Sequence, residues 1–420
     1  MIVQHLSYDA NDFAFVEPET WLLLHEKLRW TSTGTVDYRK TAEALVRSDV
    51  VDIVKRYKLA CLYCLEDYIP EFWKELPEEN KGTFYHEKAT SLIAELPLHF
   101  CWPYILKGEE YKLDFMPRSS FGRTWIRRLE DPSRTRFHQY AFQHSSFIGN
   151  KTAAEYFFQK LTHEQRDASL VQTAVDVVRY RTRYFRIAFQ LTKGKFSDVL
   201  SYLLSQMTPE EQIQIFKELP CEILRCFMEW PCQNLFFDLA DVIWTFLPES
   251  NYKDLLSEIY WIIEDSGYYH PNLLQNLFLR SPIDFGKHFV DEECRIGYFF
   301  EEFFDNQDTE TIKVIFRTVD AADRVKLVFD PYVLKLFYKY ISKDRWHMVE
   351  VCLREATLSK DDKDRFKEYF MGLQSSSKWR RFCECLDETD ASSGSKRSSD
   401  DETLTKVKKL CCEEEEIDKR

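Results

Sequence analysis

Residues 155–164 read EYFFQKLTHE and residues 201–210 read SYLLSQMTPE. Tyr156 matches Tyr202, Phe157 and Phe158 match Leu203 and Leu204, Leu161 matches Met207, and Thr162 matches Thr208. Each Thr opens a capping box: Gln165 stands three residues after Thr162, and Glu211 three after Thr208, with Pro209 at the first helical position. The pattern predicts a helix end, a tight turn and a capped second helix, made twice. Related junctions are expected at Phe316–Asp323 (FRTVDAAD), at Leu358–Asp362 (LSKDD) and at Trp244–Ser250, where a Pro follows an apolar helix end. Junctions near 162, 208, 250, 320 and 359 are separated by 46, 42, 70 and 39 residues, and the long interval has room for another around Asp291. Helix-pair repeats run about 33 to 47 residues, each burying its apolar face on its neighbours. The expected fold is all-α: stacked helical hairpins of the α-solenoid kind. The alternative is a non-repetitive helical bundle in which the two caps coincide by chance.

Working outward, Ser48–Trp73 places Val50, Val51, Ile53, Val54, Tyr57, Leu59, Ala60, Tyr63 and Cys64 mostly on two broad helical faces, and no strand alternation of sheet-forming length stands out. The segment TAEALVRSDVVDIVKRYKLACLYCLEDYIPEFW (41–73), taken with EYFFQKLTHEQ and SYLLSQMTPEEQ, resembles divergent ankyrin-like helical-repeat proteins of large arthropod families. The likeness is one of pattern over about three-quarters of the chain. It departs from standard ankyrin repeats in lacking the TPLHxA turn and a glycine after the helices, which puts the β-turn fingers in doubt. The resemblance implies stacked helices and a binding role, with no catalytic residues to carry over.

Composition removes several chemistries. The 420 residues are 44% hydrophobic, 30% charged and 15% aromatic, a globular balance with enough Phe, Tyr and Trp for an aromatic core. There are only 11 glycines, and no two lie closer than Gly286 and Gly297. A Walker-A loop, a GxGxxG turn and a GxSxG nucleophile elbow all need closer glycines, so those phosphate and acyl-transfer sites are excluded. The net charge of −13 opposes general coating of nucleic acid. MIVQHLSYDANDF shows no basic region followed by an apolar run, and no stretch approaches the roughly 18 apolar residues of a membrane span. The expected compartment is cytoplasm or nucleus, where the 12 cysteines read mostly as buried thiols.

Three regions are expected: an N-terminal arm with the first helix over 1–35, a helical-repeat domain over 36–374, and a charged tail over 375–420. The tail alternates basic and acidic blocks with few large apolar residues after Leu386, so it is expected to be disordered from about 388, with room for a short helix over 402–417. Within it, Ser398 and Ser399 precede Asp400, Asp401 and Glu402 and are candidate phosphorylation sites; an unmodified acidic spacer is the competing reading. Lys396–Arg397 with Lys406, Lys408 and Lys409 form a weak split import-like pattern.

Charge is uneven. Arg118–Lys195 holds 15 Lys/Arg and 6 Asp/Glu, a net +9 against −22 for the remainder. Arg179, Arg181, Arg183 and Arg186 interleave with Tyr180, Tyr184 and Phe185, and Arg123, Arg127 and Arg128 form a second cluster. These arginines are the candidate partner-binding residues, suited to a protein or peptide partner of acidic character, because guanidinium makes charge-assisted bonds to carboxylate or phosphate. The competing reading is a positive repeat seated among acidic neighbours of the same chain, its Arg stems covering core aromatics. Nucleic-acid binding through this segment is the alternative function.

No metal site and no cofactor is expected. Cys61 and Cys64 form a CxxC inside a helical pattern, facing the core, with no second ligand pair at zinc spacing. His99 with Cys101, and Pro220–Cys221 with Cys226, miss the deaminase spacing. Cys383, Cys385, Cys411 and Cys412 lie in or near the tail, in acidic surroundings that favour the thiol. DNQDTETIKVIF (305–316) begins like a calcium loop but lacks its glycine and closing Glu, and reads as a helix start capped by Asp308. His138 and His144 are the only close histidine pair, read as polar positions at helix surfaces; an enzyme with a dispersed site is the remaining alternative. The expected function is a non-catalytic protein-interaction scaffold or adaptor.

Overall fold

The computed structural model describes residues 26–32, 36–85, 98–115, 136–184, 195–228, 232–266, 271–290, 296–343, 345–371, 380 and 382–384. All regular structure among the described residues is helical, and the one extended pairing there is an isolated antiparallel bridge between Trp30 and Val36. The chain divides into two compact units, Met1–Asn251 and Tyr252–Arg420.

The first unit carries α1 (Tyr38–Val46), α2 (Ile53–Leu62), α3 (Ile69–Glu75), α4 (Glu78–Phe84), α5 (Leu98–Leu106) and a 3-10 turn at Glu110–Phe115. It continues with α6 (Phe137–Phe147), α7 (Lys151–Gln159), α8 (His163–Tyr184), α9 (Lys195–Ser205), α10 (Pro209–Glu218), α11 (Pro220–Phe227) and α12 (Gln233–Ile243). The helical pattern read across Ser48–Trp73 is interrupted. Asp52 caps α2 by accepting from Lys55 N at 3.0 Å, and Cys64, at φ 51°, turns the chain between α2 and α3. Tyr57 is fully buried there against Trp73 and Phe84, with ring centroids at 5.6 and 5.3 Å, and donates to His99 O at 3.2 Å.

The two junctions that opened the sequence argument are present. Gln165 Nα donates to Thr162 Oγ1 at 3.3 Å while Thr162 Nα donates to Gln165 Oε1 at 3.0 Å, so the box closes at the head of α8. Thr208 and Glu211 make the same exchange at the head of α10, at 3.3 and 2.8 Å. A second device accompanies them. Four residues after each cap, a long side chain reaches back to the carbonyls that end the previous helix: Arg166 to Phe158 O at 3.1 Å and Gln159 O at 3.0 Å, and Gln212 to Leu204 O at 2.8 Å. Arg56 does so to Val46 O at 2.7 Å and Arg324 to Val319 O at 3.2 Å. Phe158 O and Leu204 O also accept from Leu161 N and Met207 N, at 3.2 and 3.1 Å, so these side chains add a second donor to helix-end carbonyls that lack the amide four residues on.

The second unit opens within α13 (Glu249–Ser266), followed by α14 (Pro271–Arg280), α15 (Ile283–Gly286) and a 3-10 turn at Lys287–Phe289. Then come α16 (Ile296–Asp305), α17 (Thr309–Thr318), α18 (Ala321–Phe329), α19 (Pro331–Ser342), α20 (His347–Ala356) and α21 (Lys360–Met371). The expected junctions at 320 and 359 are made by Asp320, which accepts from Asp323 N at 2.8 Å, and Ser359, which accepts from Asp362 N at 3.1 Å. Pro248 precedes α13 as the 244–250 junction requires; Asp291 lies outside the described residues. Asp308 caps α17, accepting from Thr311 N at 2.9 Å, as the reading of 305–316 anticipated.

Here helices pack on helices three further along the chain: α14 on α17, α17 on α20, and α16 on α19. The contacts recur at one spacing. Arg317 Nε meets Glu355 Oε2 at 3.2 Å and Lys339 Nζ meets Glu301 Oε1 at 2.7 Å, each pair 38 residues apart. The α14, α17 and α20 starts at 271, 309 and 347 share that interval. The interior is aromatic, with Phe299, Phe300, Phe303, Phe304 and Phe316 all fully buried. Phe304 stacks on Phe337 at 5.8 Å and meets Tyr340 edge-on at 4.9 Å, geometries worth more than burial alone. Gly297 permits the closest approach: a methyl group there would stand 2.3 Å from Tyr332 Cβ.

Candidate functional site

A trough of about 550 Å³ opens in the first unit, and stretches far apart in sequence build its walls. The segment before α1 supplies Val36 and Asp37. It is held by the Trp30–Val36 bridge, by Asp37 N donating to Arg29 O at 2.7 Å, and by Arg29 N donating to Thr41 Oγ1 at 2.9 Å. Asp37 also caps α1, accepting from Lys40 N at 3.0 Å. The α6–α7 corner supplies the opposite wall. Gly149, at φ 75°, ends α6, and Asn150 then caps α7 by accepting from Ala153 N at 3.1 Å. The same Asn150 side chain donates to Leu62 O at 2.7 Å, fixing the head of α7 to the end of α2. Asp198 stands in the first turn of α9, where Ser197 Oγ donates to Cys226 O at 2.5 Å and ties that turn to α11.

The lining combines an apolar floor (Val36, Leu62, Tyr63 and Leu235) with charged walls. Lys151 pairs with Glu155 on its own helix at 3.6 Å. Asp198 makes no hydrogen bond or ion pair among the described residues; partial burial raises its carboxyl above the ordinary range, with Lys151 pulling the other way. Burial, and then the Asp198 charge, raise the Tyr38 hydroxyl.

A second cleft of about 220 Å³ shares Arg39, Thr152 and Glu155 with the trough and is bordered by the turn between α2 and α3. Its walls add Glu43, Glu66 and Asp67. Arg39 is held by Glu43 at 3.3 Å, while Glu66 accepts from the Tyr156 hydroxyl at 2.7 Å and faces Lys160 at 3.6 Å. Along both recesses stand Asp37, Glu43, Glu66, Asp67, Glu155 and Asp198, against Arg39 and Lys151. The sign of the surface is negative, and its floor is greasy.

The residues singled out in the sequence fall elsewhere. Arg179 is exposed near the end of α8 and pairs with Glu218 of α10 at 2.6 Å. Arg181 and Arg183 are on the last turn of α8, while Arg123, Arg127, Arg128 and Arg186 lie outside the described residues, as do Ser398 and Ser399. Cys61 and Cys64 face the core as expected; with Cys101 they are buried, and burial pushes all three thiols up, away from thiolate. Cys221 and Cys226 are buried too, Cys383 is half-exposed, and Cys385, Cys411 and Cys412 are outside the described residues.

Both histidines are half-buried on α6. His144 stacks on Tyr140 at 5.8 Å, and burial lowers its imidazole to about 4. His138 is half-buried, 3.4 Å from Glu110, and burial lowers it as well. The trough itself was missed, since its lining is gathered from residues between 31 and 235 and no contiguous motif marks it. No family model matches the chain, and no curated protein matches it.

Proposed function

We propose that this chain is a non-catalytic helical-repeat protein that holds a protein or peptide partner, and that the trough of the first unit is where it does so. The observation that carries this reading is a trough lined by Val36, Leu62, Tyr63 and Leu235 together with charged side chains at helix ends, beside a second, polar cleft that shares Arg39, Thr152 and Glu155 with it. Such a surface anchors a side chain by burial and fixes direction by charge. The recurrence at 38 residues in the second unit supports stacked repeats, the architecture that the resemblance to divergent ankyrin-like proteins also implies. Among the described residues no helix is long and apolar enough to cross a membrane, and the compartment proposed is cytoplasm or nucleus.

The two candidate surfaces call for opposite partners. The arginines of the 118–195 segment would suit acidic partners or phosphate, but Arg179 already spends its charge on Glu218. The trough walls repel phosphate, which sets nucleic acid behind protein as the partner class. The test is purification of the tagged full chain from cells that express it, with and without nuclease, beside an Asp198→Lys/Glu155→Lys variant. A protein that survives nuclease and is lost with the variant is expected; partners lost on nuclease treatment would replace this reading with nucleic-acid binding.

A further inference from the structure

We propose that the occupant of the trough is a basic, amphipathic segment of another protein, seated with one apolar side chain on the Val36–Leu62–Leu235 floor and its flanking Lys or Arg side chains against Asp198, Glu155 and Asp67. This rests on the binding reading above and adds the chemistry of the partner. Three observations converge on it. The first is sign: six carboxylates stand along the two recesses, of which Asp37, Glu43, Glu66 and Glu155 are paired by Lys40, Arg39, Lys160 and Lys151, leaving Asp67 and Asp198 as the excess. A cationic partner therefore meets net negative charge with the local cations already paired.

The second is Asp198, whose carboxylate stands exposed in the first turn of α9, on the wall of the trough, and makes no hydrogen bond or ion pair among the described residues. A Lys or Arg brought there supplies a charge-assisted partner. The third is shape. The recesses of about 550 and 220 Å³ are both bordered by Arg39, Thr152 and Glu155, so they lie side by side. A run of several residues reaches both, whereas one small cation leaves the apolar lining of the larger uncovered. Asn150, bridging α2 and α7, keeps the trough preformed, which lowers the ordering cost of binding.

The test uses a phage-displayed library of random 12-residue peptides selected on the full chain, followed by fluorescence titration of the enriched peptides. Enrichment of sequences with Lys or Arg flanking a Leu, Phe or Trp is expected, with affinity that falls as salt rises. Binding at least tenfold weaker to Asp198→Lys and to Glu155→Lys is expected, and Arg179→Glu leaves it unchanged. Asp198→Asn, which preserves size at an exposed site, must also weaken binding several-fold, so a misfolded Lys variant cannot rescue the idea. Basic peptides that bind the variants as well as the native chain overturn the proposal, as does a library that yields no basic sequence. Enrichment of acidic peptides lost on Arg179→Glu overturns the partner chemistry yet leaves a binding protein; no enrichment together with no partner from cells removes both.

Discussion

Thr357 ends α20 at φ 50°, in the left-handed region that costs a β-branched residue about 1 kcal/mol or more relative to glycine. Cys64 and Gln307 take the same conformation, so a chain with 11 glycines turns several helices without them. Thr357→Gly is expected to stabilise the second unit by about 1 kcal/mol in urea unfolding, because the strain exceeds the added freedom of the unfolded chain. Gly297 is the reverse case. Gly297→Ala forces a methyl against Tyr332 Cβ, a backbone-proximal atom that cannot swing aside, and should cost about 1–3 kcal/mol. His144 gives a pH prediction. Its imidazole titrates near 4 in the native state, against about 6.5 when unfolded. Above pH 6.5 it is neutral in both states and contributes no slope. As the pH falls from 6.5 towards 4 the unfolded chain takes up a proton that the native state refuses, so stability drops by at most about 1.4 kcal/mol per pH unit. Comparing unfolding free energies at pH 7 and pH 5, the native chain should lose more than His144→Phe; equal losses would show that His144 is solvated.

At the scale of elements, the helix junctions were legible because a cap is a local event. Thr162, Thr208, Asp320 and Ser359 each bond to a backbone amide three residues on, and the pattern is visible without any tertiary knowledge. The reach-back from four residues after the cap was equally local but went unread, since Arg and Gln there pass for surface polar residues. Thr208→Ala should cost about 1 kcal/mol by removing one side of the capping box. Gln212→Leu should cost about 0.5–1.5 kcal/mol by removing the side-chain donor to Leu204 O, which then keeps only Met207 N. What stayed hidden is what comes from afar. Counting charges along 118–195 could not show that Glu218, 39 residues from Arg179, sits against its guanidinium. The helical reading of Ser48–Trp73 could not show the break at Cys64, because αL at a cysteine has no composition cue. The 38-residue recurrence was likewise unreadable: α14, α17 and α20 share an apolar pattern and contacts, and few identities.

Across the whole molecule, charge gives the clearest link between sequence and function. The chain carries a net −13, and Asp67 and Asp198 place part of that excess along two neighbouring recesses, the larger with apolar lining. A negative surface steers cationic segments towards it and repels phosphate, and the effect weakens with salt over about a Debye length. The second unit contributes regular helix packing at a fixed interval, the property that lets repeat proteins extend a surface without changing its interior. Amide hydrogen exchange on the full chain, alone and saturated with its captured partner or selected peptide, reads directly whether the trough is the binding surface. Slowed exchange is expected at 36–39, 62–68 and 150–156, with residues around Arg179 unchanged. Protection confined to the 179–184 turn of α8, with the trough amides exchanging as before, would contradict it.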